Sequence, residues 1–151
     1  MLQNSKMNIL IESRAFYPSI GGLEMMAEGL GTMWQEAGHH VRLMSATPLG
    51  EHARHADLHV IRQPDPQEWI KQMAWADVFF QNGISLRSIA YPIIMRTPIL
   101  FGHQNLLTSN KDGIDLPNML KQWTTRLGYN IAICQAVADT IPGPKTIVPN
   151  T

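Results

Sequence analysis

The spacing of apolar residues changes period several times along the chain. Residues 7–12 form a short apolar run interrupted by Asn8 and ended by Glu12, and a loop with Pro18, Gly21 and Gly22 follows. This pattern predicts a buried strand. Leu23, Met26, Ala27, Leu30, Trp34 and Ala37 then recur at the three- and four-residue spacings of a helix with one apolar face. Gly38 stands where such a helix stops. Residues 41–45 read as a second strand. Strand, Gly-Gly loop, helix, glycine and strand make a βαβ unit with a right-handed crossover.

The alternation continues. Residues 58–61 read as a short strand, and Pro66 opens a helix to about Trp75. Residues 77–81 form a strand ending at Asn82-Gly83, and 98–102 form another. Between them, residues 85–95 are read as a helix in spite of Pro92. Residues 103–115 are polar and loop-like. Residues 116–127 are read as a helix with Pro117 in its first turn, 130–134 as a strand, 136–141 as a short helix and 146–148 as a last strand. Strands alternating with helices imply an α/β fold: a Rossmann-like three-layer sandwich around a mostly parallel sheet.

Composition narrows the classes without choosing a function. The 151 residues hold 44% hydrophobic and 16% charged side chains, ordinary for one globular domain. Twelve basic residues balance twelve acidic ones, so the positive field of a nucleic-acid binder is absent and no nucleic-acid partner is expected. Cys134 is the single cysteine, which rules out an internal disulfide and a multi-thiolate zinc site. The first apolar run is too short for a signal-peptide core or a membrane span, so a cytoplasmic protein is expected, with peripheral membrane contact left open. The sequence ends at Pro149-Asn150-Thr151, directly after a strand, and is read as an element boundary beyond which a second half is expected.

In an open parallel sheet, ligands bind beyond the carboxyl ends of the strands. Four places qualify: the loop of residues 13–22, Asn82-Gly83, residues 102–105, and Gln135. Gly21 and Gly22 let backbone approach a ligand, and the helix that follows offers free N–H groups to phosphate. A tight turn without a ligand explains the pair equally well. Neither the dinucleotide fingerprint G-x-G-x-x-G nor the P-loop is present. His39 and His40, just before the second strand, are read as a turn and a partly buried edge. His52, His55 and His59 lack a carboxylate or cysteine to complete a metal site, so no metal is expected. Cys134 is expected as a small buried strand residue. Met26 is expected in the core; exposed methionines such as Met25 and Met33 would form a patch for a lipid acceptor or a partner domain. Trp69, Trp75 and Trp123 are read as core or interdomain packing.

Ordered motifs add a resemblance. Pro18-Ser-Ile-Gly-Gly-Leu-Glu24, then a helix, then Ala37-Gly-His-His-Val-Arg-Leu43 resembles the N-terminal half of family 4 glycosyltransferases of the two-Rossmann GT-B type. Ala76-Asp77 leading into Val-Phe-Phe-Gln-Asn-Gly83, Pro98-Ile-Leu-Phe-Gly-His103 and Lys145-Thr-Ile-Val-Pro-Asn150 are similar to later stretches of that domain. The resemblance spans nearly the whole chain, in order. It departs at Thr151, where the family often has glycine, and at Gln135, where it often has serine.

The resemblance implies an acceptor-side domain spanning residues 1–151, joined to a C-terminal donor-binding domain that this sequence lacks. It implies transfer of a hexose from a nucleoside-diphosphate sugar to an acceptor (a sugar, a lipid or a small molecule), with retention and without a bound metal or other cofactor. The fragment alone would be a poor catalyst. Gly21 and Gly22 would lie against the donor diphosphate. His103 would be the catalytic histidine at the cleft, in contact with the donor sugar. Arg14, Tyr17, Glu24, Asn82 and Asn105 are candidate acceptor contacts by position alone. Two rival readings share the fold: a non-catalytic binding or interaction module, and a nucleotide-sugar epimerase domain.

Overall fold

The structure, a computed structural model, describes residues 5–19, 21–50, 58–107 and 115–148. Seven strands form one sheet: β1 (Asn8–Ser13), β2 (His40–Ser45), β3 (His59–Arg62), β4 (Val78–Asn82), β5 (Ile99–His103), β6 (Tyr129–Ala132) and β7 (Lys145–Ile147). Their order is β3-β2-β1-β4-β5-β6-β7, and each adjacent pair is parallel. This is the doubly wound, Rossmann-like arrangement expected from the alternation. The helices are α1 (Gly22–Glu36), α2 (Pro66–Trp75), α3 (Ala90–Met95), α4 (Leu116–Thr124) and α5 (Gln135–Asp139), with a 3₁₀ turn at Thr125–Leu127.

Alternation along each strand divides the core between the two faces of the sheet. Ile9, Ile11, Val41, Leu43 and Phe80 meet α1, with Trp34 edge-on to Phe80. Leu10, Met44, Phe79, Ile99 and Phe101 meet Met73 of α2 and Ile89 before α3. Helix termini follow local chemistry. Gly38, at φ 93°, lets α1 end in two backbone bonds, His39 N–H to Trp34 O and Gly38 N–H to Gln35 O. Asp65 and Asp115 cap α2 and α4 by accepting from Glu68 N and Asn118 N.

Three expectations change. Residues 85–89 are not helical: α3 begins at Ala90, which places Pro92 in its first turn, where no intrahelical bond is lost. β6 ends at Ala132, so Cys134 is exposed just before α5 instead of buried in a strand. Residues 125–127 tighten into a 3₁₀ turn instead of continuing the α-helix. Several readings lie outside the described residues, among them His52, His55 and the closing Pro149-Asn150-Thr151. Met25 and Met33 are exposed while Met26 packs on the core, and Trp123 is exposed while Trp69 and Trp75 are packed. No described helix is long and apolar enough to cross a membrane.

Candidate functional site

The direction of winding reverses between β1 and β4. The chain leaves β1 toward the face that carries α1 and leaves β4 toward the face that carries α3. A crevice must open between the two departing loops. Two cavities lie there. One, of about 370 Å³, is lined by Arg14, Asn82, His103, Asn105, Lys121 and the loop after β4. The other, of about 470 Å³, lies on the α2–α3 face over Glu12, Met44, Ser88, Trp69 and Tyr91. Arg14, Ser85 and Arg87 line both, so the cavities share a wall.

The structure brings Arg14, Asn82, His103 and Asn105 into the first cavity. Arg14 and Asn105 are exposed there. Asn82 also holds the fold together at this point. Its Nδ2 donates to Leu23 O at 2.7 Å, tying the end of β4 to the first turn of α1. Tyr17 and Glu24 do not join them. Tyr17 is buried beside Phe16, and its hydroxyl donates to Glu28 Oε2 at 2.8 Å. Glu24 is buried and accepts from Ser19 Oγ at 2.9 Å.

Glu24 also bears on the Gly21–Gly22 pair. A Cβ on Gly21 would come 2.8 Å from Glu24 Oε2, so this carboxylate folds back over the start of α1. A negative side chain there offsets the partial positive charge of the helix end. Gly22 is exposed and faces the other way: its Cβ would sit 3.4 Å from Gln104 Oε1, at the end of β5. An incoming anion meets open backbone at Gly22 and a carboxylate at Gly21.

His103 is buried, and its Nε2 lies 2.7 Å from Asn130 Oδ1. Asn130 Nδ2 donates to Thr125 O and Pro144 O, which fixes the amide so that Oδ1 accepts from His103. The proton therefore sits on Nε2, and Nδ1 of the neutral ring keeps a lone pair. Burial pushes the His103 pKa below its ordinary 6.5, against the raising effect of the Asn130 bond. The neutral ring is the resting form, suited to accept a hydrogen bond from a hydroxyl.

The second cavity is absent from the sequence reading. Its floor is a register row: Glu12 is paired with Gln81 on one side and Met44 on the other. Glu12 Oε2 accepts from Gln81 Nε2 at 2.7 Å and from Ser88 Oγ. Burial pushes the Glu12 carboxyl above its ordinary 4.5, against the lowering effect of the bonds from Ser88 and Gln81. The signal in the sequence is a pair of polar residues, Glu12 and Gln81, at the ends of otherwise apolar strands. Their adjacency depends on register, which a lone sequence does not give. Among the described residues, no group of histidine, cysteine and carboxylate side chains is placed to hold a metal ion.

No protein-family model matches the chain, and no curated protein matches it. Among solved structures, a mutant uronate dehydrogenase from Agrobacterium tumefaciens complexed with NAD aligns with a TM-score of 0.51 at 14% identity. The alignment covers 85% of this chain and 61% of that one, so this chain spans less than two thirds of that enzyme's length. At this identity the likeness shows a shared Rossmann-like fold and nothing finer.

Proposed function

We propose that this chain is the acceptor-side domain of a hexosyltransferase that uses a nucleoside-diphosphate sugar. One observation carries the reading. The Gly-Gly start of α1 and the histidine that ends β5, two motifs of the resemblance far apart in sequence, meet at one crevice, with Gly22 beside Gln104 and His103 lining the cavity that Gln104 also lines. In this reading the donor diphosphate approaches the exposed backbone of Gly22, with Lys121 of the same cavity supplying positive charge. His103 Nδ1 accepts a hydrogen bond from the donor sugar. Stabilising charge on the departing diphosphate is the main catalytic demand of such a transfer.

The likeness to a uronate dehydrogenase favours a second reading, a nucleotide-dependent dehydrogenase or epimerase domain. The missing G-x-G-x-x-G fingerprint weighs against it. The test is made on the protein at its native length, offered UDP-, GDP- or ADP-hexoses with candidate acceptors, and separately NAD with hexuronates. The expected result is nucleoside-diphosphate release that depends on an acceptor and falls at least about tenfold in His103→Ala. Reduction of NAD by a hexuronate, or change of the nucleotide sugar without an acceptor, would overturn the reading.

A further inference from the structure

We propose that the cavity on the α2–α3 face binds an anionic sugar, its ring seated over Glu12 between Ser88 and the Trp69–Tyr91 pair and its phosphate or carboxylate held by Arg14 and Arg87. The proposal extends the transferase reading by naming the acceptor, and rests on that reading for the word acceptor alone. The binding site stands on its own geometry.

Four independent observations converge on this cavity. The first is unspent positive charge. Arg14 and Arg87 are exposed on the wall shared by the two cavities, and the single ion pair among the described residues is Lys71–Glu68, on α2. Two guanidinium groups facing one space, neither ion-paired to a carboxylate among the described residues, suit an anion, which they bind through charge-assisted hydrogen bonds.

The second is the floor. Glu12 is 9% exposed yet lines the cavity, with Ser88 and Gln81 gathered on one of its oxygens. Burial favours its protonated form. In that form the carboxyl both donates and accepts, which matches a ring hydroxyl.

The third is the aromatic wall. Trp69 and Tyr91 stack with centroids 5.0 Å apart and rings within 10° of parallel, bridging α2 and α3, and both remain partly exposed in the cavity. Such a wall covers the apolar face of a sugar ring.

The fourth is backbone strain. Gln63 lines the cavity with φ at 46°, a left-handed conformation that non-glycine residues rarely adopt, and its N–H is pinned to Ser45 O at 2.7 Å. Strain of this kind concentrates where a fold holds a ligand-facing segment in place. Here it sets residues 63 and 64 as the outer rim.

The test is direct titration of the chain, followed by tryptophan fluorescence and by amide shifts in NMR. The probes are glucose 6-phosphate, glucuronate, glucose and inorganic phosphate. Saturable binding is expected for one or both anionic sugars, with shifts centred on residues 12–14, 63–69 and 85–91. Preference for glucose 6-phosphate assigns a phosphate, and preference for glucuronate a carboxylate. Glucose and inorganic phosphate each bind at least about tenfold more weakly, because each lacks half of the contacts. Arg14→Met and Arg87→Met each weaken the anionic probe by roughly tenfold. Arg96→Met, outside the cavity, serves as the charge control and leaves affinity unchanged. Glu12→Leu is expected to abolish binding; since it also strips Gln81 and Ser88 of their acceptor, the exposed arginines keep the test decisive if that variant fails to fold.

No binding of either anionic sugar at up to about 10 mM would overturn the proposal. So would full affinity in the Arg14→Met/Arg87→Met double variant, or inorganic phosphate binding as tightly as the sugar phosphate. Binding at this cavity without any transferase activity would sink the transferase reading and leave the site standing. Transfer to a neutral acceptor, unaffected by anionic sugars, would do the reverse.

Discussion

Glu12 and His103 are both buried and both favour their neutral forms, but they respond to pH in opposite senses. A carboxyl whose pKa is raised by folding holds its proton more tightly in the native chain than in the unfolded one. Its contribution to stability is therefore complete below about 4.5 and is lost as pH rises through the native value. Glu12→Gln removes that loss while keeping an acceptor oxygen for Gln81 and Ser88. The expected outcome, read from urea unfolding midpoints, is that the variant gains on wild type as the pH is moved from about 4 to about 7.5. A difference that stays constant over that range would show that Glu12 titrates as it does in water. Gln81 completes the picture: its buried Oε1 has no hydrogen-bond partner among the described residues, while its Nε2 serves Glu12, Ser85 and Ser88 together.

At the scale of elements, periodicity and punctuation did most of the predicting. The apolar stripe from Leu23 to Ala37 and the stop at Gly38 describe α1 closely, since helix period and C-terminal glycine are local properties. Pro66 and Pro117 stand in the first turns of α2 and α4 as expected. What local reading missed has a common cause. The start of α3 and the end of β6 are set by packing around Pro92 and by pairing with β5 and β7, which act across the fold. Within α1, two glycines give a further test. Gly31 is pressed against Leu58, and its Cβ would come 2.7 Å from Leu58 Cδ1. Gly29 is exposed, with nothing within 4 Å of an added Cβ. Gly29→Ala is therefore expected to stabilise the protein by about 0.5–1 kcal/mol, seen as a higher urea midpoint at unchanged m. A loss of stability would mean that Gly29 serves something other than the helix.

For the whole molecule, the strand alternation pointed to the carboxyl ends of the strands, while the switch between β1 and β4 emerges from the strand order in the folded sheet. It put His103, Arg14, Asn82 and Asn105 at or after strand ends, and all four line the first cavity. It did not suffice for Tyr17 and Glu24, because the loop that holds them folds back on α1: Tyr17 to Glu28, Ser19 to Glu24. Nor did it reveal that Trp69 and Tyr91, from two different helices, stack across the second cavity. Charge balance over the chain hides a local imbalance, since Arg14 and Arg87 are concentrated at the seam between the cavities.

The central position of β1 has a consequence for how the chain acquires its shape during synthesis. β1 leaves the ribosome before β4 and must wait for it before its second edge is covered; Glu12 and Gln81, partners in that pair, are 69 residues apart. Pairing over such a distance carries a large loop-closure cost and is slow. Until it forms, an apolar strand edge stays open to other nascent chains, the condition under which aggregation competes with folding. Chains cut after residue 77 are expected to be digested rapidly under pulse proteolysis, and resistance is expected to appear once residues 78–82 and the segment that covers them have been added. A protease-resistant 1–77 fragment would show that the first three strands hold together before the centre of the sheet is complete.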